Sequence, residues 1–346
     1  MRRVLLTTLV LTLAFSGSEV PAQASVDPDP LFASDEILQV RFSGPLHVLI
    51  DEKSKEDYLP GTIIVDADGE TQELDIKFRA RGNFRHDNCD YPPIRLNFKK
   101  SQTNNTLFDK QDKLKLVVHC NHRAEYQQIV LQEYLAYKVL NLLTGLSLRV
   151  RLLQIVYVDP DESFESEPRY AFLIEHKKRA ARRFGMQELK VPRVPVAALD
   201  PAQLNLTSVF QFFIGNTDFS PIAAAPGENC CHNYILFEKK GANFMPVPYD
   251  FDQSGFVDAP YAVPNPEFRL RTVKQRRYRG RCVNNSHVDT SMQKLLDNRD
   301  AIYAMIRDQE GFADATRQEL VTFVDSFYEL ASNPKRVERM ILKRCV

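Results

Sequence analysis

Asp218, Asn233 and Asp250 stand in three short motifs whose residue types suit phosphoryl transfer. The first motif is IGNTDFS (214–220), where the apolar run VFQFFI (209–214), read as helix or strand, gives way to a loop. The second is CCHNY (230–234) and the third is PVPYDFD (246–252). Phosphoryl transfer needs a carboxylate to take a hydroxyl proton and oxygen ligands for the metal ions on the phosphates. Magnesium prefers hard oxygen ligands, usually one or two carboxylates together with phosphate oxygens. Asn233 would supply a neutral oxygen and Asp250 a charged one. Asp218 has a different task, because a group that positions an alcohol must stay ionised beside the metal. Asn-Thr-Asp and Asp-Phe-Asp are also ordinary turn sequences. Their order, and the apolar strands expected at 234–237 and 244–247, favour a site.

The elements that would position these groups change character along the chain. Short alternating strands are expected at 46–50, 61–65, 74–81 and 94–98, punctuated by Asp68-Gly69, Gly82-Asn83 and Pro92-Pro93. Another strand (113–119) runs into a long helix at 125–143, stopped by Gly145. Strands at 152–158 and 170–174 flank an acidic loop, and helices dominate the end, at 290–307 and 311–331. Strands first and helices later, with the acidic motifs at the junction, predict a two-lobed α+β protein with its cleft between the lobes. The division is a β-rich N-lobe at 25–174 and a mainly helical C-lobe at 175–346, hinged near 173–177.

Composition sets the compartment and excludes some partners. Residues 1–24 read as an export signal: Arg2-Arg3, an apolar run at 4–15 and the small-x-small site Ala22-Gln23-Ala24. The run is too short to span a bilayer, and no later segment reads as a membrane helix. The whole chain of 346 residues balances 45 basic against 45 acidic residues. Losing Arg2, Arg3 and Glu19 leaves a formal charge of −1, which implies no nucleic acid or other polyanion as partner. Six cysteines in an exported chain favour disulfides. Cys89 and Cys120 are expected to pair, and Cys230 and Cys231 to bond to different partners. A zinc site on Cys230, Cys231 and His232 is the rival, without a second CxxC or HxxxH to support it.

The order of FRARGNFR (78–85), IRLNFKK (94–100), DKLKLVVHC (112–120), EYLAYKVLNLLTG (133–145), YAFLIEH (170–176), GNTDFS (215–220), HNYILF (232–237) and PVPYDFDQSG (246–255) resembles the spore-coat protein H (CotH) kinases. These are atypical secreted members of the protein-kinase-like fold, and the last three segments also resemble the HipA-type kinases. The resemblance implies a two-lobed protein-kinase-like fold and a kinase using ATP with Mg2+ or Mn2+. It assigns Asp218 as the catalytic-loop base, and Asn233 and Asp250 as metal ligands. Asp252 would sit behind Asp250 or hold a second metal. Tyr249 replaces the Trp common in the family. Glu175 falls at the hinge beside the nucleotide's adenine. The lysine that holds the phosphates would be Lys115, or Lys113 on the same strand face, paired with Glu133 or Glu125. Tyr91-Pro92-Pro93 stands where the family is often Lys-rich, and no GxGxxG is present.

The resemblance points to transfer of a phosphoryl group from a nucleotide to a hydroxyl on a protein Ser/Thr or a small molecule. The other readings are a catalytically inactive kinase-like binding or scaffold protein of the cell envelope, a disulfide-stabilised structural envelope protein, and a metal-dependent hydrolase using Asp250, Asp252 and His232. The stretch RLRTVKQRRYRGR (269–281) holds seven basic residues and reads as a receiver for an acidic substrate or as a solvated loop. Sequons stand at Asn104, Asn205 and Asn284.

Overall fold

The computed structural model describes residues 29–67, 69–225 and 227–346; the expected export signal at 1–24 lies outside the described residues. Five strands, Leu38–Ser43 (β1), Leu59–Ala67 (β2), Glu70–Ala80 (β3), Ile94–Phe98 (β4) and Lys113–Val117 (β5), pair in chain order, each antiparallel to the next. Val150–Asp159 (β6) carries the two-residue extension Phe164–Glu165 (β7). Arg169–Ile174 (β8) lies between β5 and β6, antiparallel to both. The sheet then closes on itself, because β6 runs parallel to β1 in the register Leu38↔Leu153 to Ser43↔Val158.

This closed seven-stranded barrel overturns the expected two-lobed protein-kinase-like fold with a helical C-lobe. The expected strand at 46–50 is instead the helix Leu46–Glu52 (α1), and the closing strand is the unexpected β1. Alternation explains why β1 belongs in a barrel. Leu38, Val40 and Phe42 point inward among Ile63, Val65, Leu74, Ile76, Phe78, Leu96, Leu116 and Ile155. Phe78 meets Phe42 edge-on at 4.9 Å between centroids. Gly61 makes room for it, since a Cβ there would lie 2.8 Å from the Phe78 ring. Burying a ring of this size contributes about 1.5–3 kcal/mol.

Two short helices, Phe84–Asn88 (α2) and Lys100–Thr103 (α3), lie in the connections on either side of β4. The outer barrel face built by Val117, Val150, Leu152, Phe172 and Ile174 is covered by Glu125–Leu143 (α4), a helix free of Gly and Pro, as the sequence predicts. The rest of the chain packs into the same apolar core: Lys177–Phe184 (α5), Pro201–Phe213 (α6), Val288–Asp297 (α7), Arg299–Asp308 (α8) and Asp314–Ala331 (α9), with Pro334–Met340 (α10) at its edge. Gln187–Glu188 (β9), Tyr234–Glu238 (β10) and Met245–Pro248 (β11) form a separate three-stranded sheet. No helix among the described residues is long and apolar enough to cross a membrane.

Cys89 lies at disulfide distance from Cys120, as expected, with 4.8 Å between their Cα atoms. Cys282 reaches Cys345, and the sulfurs of Cys230 and Cys231 face each other. The different partners expected for Cys230 and Cys231 are therefore not found, because the other four cysteines pair among themselves. The sequons at Asn205 and Asn284 are buried, 1% and 6% exposed, and so are closed to a glycan. Cys282 and Cys345 are 63 residues apart, so their bridge restricts the unfolded chain strongly. Replacing both with Ser is expected to lower unfolding stability by about 2–4 kcal/mol in urea titration. Equal midpoints for parent and variant would mean that the pair is not oxidised.

Candidate active site

Local geometry brings the three motifs together. Helix α6 is capped by Asp200, whose carboxylate accepts the Gln203 N–H at 2.8 Å, and it ends at Gly215. Gly215 has φ +67°, a conformation that costs Gly little and turns the chain sharply into the loop. Buried Asn216 then accepts the Asp218 N–H through its side chain at 2.8 Å and fixes the turn. The bridge Ser220↔His232 lays this loop beside the start of β10. The β10–β11 hairpin sets Tyr234 opposite Pro248, so Asn233 and Asp250 meet at its open end, where Tyr249 N–H donates to the Asn233 carbonyl at 3.0 Å.

Asn233 is the link. Its side-chain NH2 donates to the Asp218 backbone carbonyl at 2.7 Å and to Asp218 Oδ2 at 3.0 Å. With the amide nitrogen committed to acceptors, Oδ1 is the atom left for a ligand. The other Asp218 oxygen, Oδ1, lies 2.7 Å from His232 Nε2, a contact the sequence did not suggest. This bond to Asp218 raises the pKa of His232. Asn233 and Asp250 both hold left-handed backbone, at φ +55° and +66°. Asn and Asp tolerate it better than most residues, and the Asp250 N–H is tied to the Tyr137 hydroxyl at 2.9 Å.

Asp218, Asn233, Asp250 and Asp252 line one cavity of about 370 Å³ with Lys115 and Glu133. Facing the acidic wall is a basic one. Period two along the strands turns Ile94 and Leu116 into the barrel and Arg95 and Lys115, which are register partners, out into the cleft. Arg81, at the exit of β3, and Arg85, on α2, complete it. Lys115 Nζ stacks 4.3 Å from the Tyr249 ring centre. Burial first, and then Arg81, lower its pKa to about 7, so an anion placed there would restore its charge. Glu133 is 3% exposed, with Arg85 3.8 Å away. Burial, followed by Asp252 and Asp250, pushes Glu133 up to about 8. Burial and Asp250 push Asp252, which accepts the Tyr261 hydroxyl at 3.2 Å, up to about 7. Burial and mutual repulsion thus favour the protonated forms of these carboxyls, and a cation bound beside them would favour the ionised forms.

Other expected site residues lie elsewhere. Lys113 is exposed and does not line the cavity, although it shares the outward strand face of Lys115. Glu175 is buried in an ion pair with Arg183 at 2.7 Å and accepts the Arg149 N–H at 3.0 Å, away from the cavity wall. Glu125 pairs with Arg123 at 3.0 Å. The basic stretch 269–281 is partly internal. Arg276 donates to the carbonyls of Phe213 and Phe323, and Arg279 to those of Thr217 and Phe219, bracing the Asp218 loop. The sulfurs of Cys230 and Cys231 are paired with each other and offer no thiolate, so the zinc site weighed for Cys230, Cys231 and His232 loses two of its three ligands.

Among the described residues, one group of three His and Asp side chains could hold a metal ion, and it lies outside this cleft: His47, Asp159 and Asp161. No protein-family model matches the chain, and no protein of curated function matches it in sequence.

Proposed function

We propose that the cleft transfers a phosphoryl group from a nucleotide to a hydroxyl, on a protein or a small molecule, with ATP as donor and Mg2+ or Mn2+ as cofactor. The observation that carries this reading is Asn233, which holds Asp218 with its nitrogen and leaves its oxygen uncommitted in the cavity that Asp250 also lines, together with Arg81, Arg85, Arg95 and Lys115. The oxygen set Asn233, Asp250 and Asp252 suits a hard divalent cation, and the basic wall suits phosphate oxygens. A metal bound there would neutralise charge developing on the transferred group. Asp218, at the more open edge, takes the proton of the attacking hydroxyl while His232 holds one of its oxygens. The resemblance of the three acidic segments to the spore-coat protein H kinases supports the same chemistry through residues, on a barrel architecture. We read the protein as exported, periplasmic or extracellular, and the cysteines at disulfide distance support an oxidising compartment.

Purified protein with labelled ATP is expected to phosphorylate itself or a generic hydroxyl acceptor only when Mg2+ or Mn2+ is present. Metal-dependent nucleotide binding without transfer to any acceptor would assign a binding module instead. Absence of both binding and transfer would remove the reading.

A further inference from the structure

The barrel has a mouth with chemistry of its own. Strands β1, β5 and β6 end, and β4 and β8 begin, at one mouth, and α1 lies across it. A cavity of about 580 Å³ sits there and shares no lining residue with the candidate active site. Its apolar wall includes Leu46, Leu49, Ile94 and Val118, members of the barrel's interior core. Barrel mouths are among the places where ligand sites recur.

Three ligand-type side chains meet beside this cavity, and two of them, His47 and Asp159, are in its lining. His47 lies in the first turn of α1, Asp159 at the end of β6 and Asp161 in the following turn. Each offers one ligand atom, and all three atoms lie within 4.8 Å of one another. Their positions are fixed from inside. Buried Asp159 accepts the His47 backbone N–H at 2.7 Å and lies 2.8 Å from His47 Nδ1, while its other oxygen accepts the Asp161 N–H at 3.1 Å. The bond between His47 Nδ1 and Asp159 holds an imidazole nitrogen and a carboxylate oxygen close together, and an ion binding both would replace the proton they share. Independently, His119 lines the same cavity at 7% exposure, and its Nδ1 has no hydrogen-bond partner. A buried ring nitrogen without a partner is costly unless a ligand or water compensates it.

We propose that the barrel mouth binds a divalent transition-metal ion of the zinc class through His47, Asp159 and Asp161, with an open coordination position toward the apolar cavity. Imidazole in the ligand set selects zinc-class ions over magnesium, whereas the ligands proposed around Asp250, namely Asn233, Asp250 and Asp252, offer oxygen alone. Three protein ligands are the number at which zinc keeps a fourth position for water or a small molecule. The ion would also join α1 to the turn after β6, closing one side of the mouth.

The test uses Zn2+ alone, by isothermal titration and by metal content after dialysis. The parent protein is expected to hold one zinc that excess Mg2+ does not displace. Asp161→Asn changes an exposed residue with little risk to folding and is expected to weaken zinc at least about tenfold, as is His47→Gln. Asp250→Asn is expected to keep that zinc. The proposal is overturned if no stoichiometric zinc is held, if Mg2+ displaces it, or if both barrel-mouth variants bind zinc like the parent. In those cases Asp159 is only a hydrogen-bonded fastener between α1 and β6.

Discussion

Asp250→Asn is expected to remove metal-dependent nucleotide binding and phosphoryl transfer together, with turnover falling about 10³-fold or more. The size follows from losing a metal carboxylate: Lewis-acid stabilisation of several kcal/mol is withdrawn, and each 1.4 kcal/mol is about tenfold in rate. Asn is the better probe here than Ala. At φ +66° an Ala would add about 1 kcal/mol of backbone strain, which Asn largely avoids, and the N–H bond to Tyr137 needs no side chain. The variant also carries its own folding control. The Asp250 charge raises the pKa of Asp252 and Glu133 and also favours the charged forms of Arg81, Arg85 and Lys115, so removing it relieves repulsion and loses attraction in the same cleft. With these two effects opposed, its thermal midpoint in metal-free buffer should stay near the parent's, while the upward shift with ATP and Mg2+ disappears. A variant that keeps both the shift and the transfer would show that Asp250 holds no metal.

Local pattern made some parts of this fold readable and left others silent. Helix α4 was legible because nineteen residues pass without Gly or Pro before Gly145 stops them, and β4 because its apolar residues alternate strictly. The run 46–50 is a short apolar segment whose periodicity does not separate strand from helix, and it folds as α1. Closure of the barrel rests on parallel pairing between β1 and β6, more than a hundred residues apart, and nothing in either strand names its partner. LQVRFS alternates like any edge strand. The acidic motifs were legible because all three fall within residues 214–252, where the β10–β11 hairpin joins the second to the third and the bridge Ser220↔His232 brings in the first. The basic wall was less so: alternation says that Arg95 and Lys115 share a face, and only the tertiary fold says that this face meets Asp250. The same limit hid Arg85, and it hid His232 as the partner of Asp218.

Asp218→Asn is expected to cut turnover by about 10²–10⁴-fold, the usual contribution of a general base, while metal and nucleotide binding stay near the parent's. The structural reason is the division of atoms at Asn233. Its nitrogen serves Asp218 and its oxygen is free for the metal, so changing Asp218 disturbs the proton acceptor and leaves the ligand atom in place. Interactions needed only as the hydroxyl attacks appear in turnover and not in ground-state binding. His232 decides which member of the pair takes the proton. Its Nε2 lies 2.7 Å from Asp218, and the two side chains are similarly open to solvent, 46% and 42% exposed. With Asp218 as the base, His232 only steadies a carboxylate, and His232→Gln should cost far less than Asp218→Asn. Equal losses in the two variants, with nucleotide binding unchanged in both, would reverse the roles: His232 would accept the proton and Asp218 would hold its ring. Transfer rates and ATP-dependent thermal shifts measured side by side on the two variants separate these outcomes.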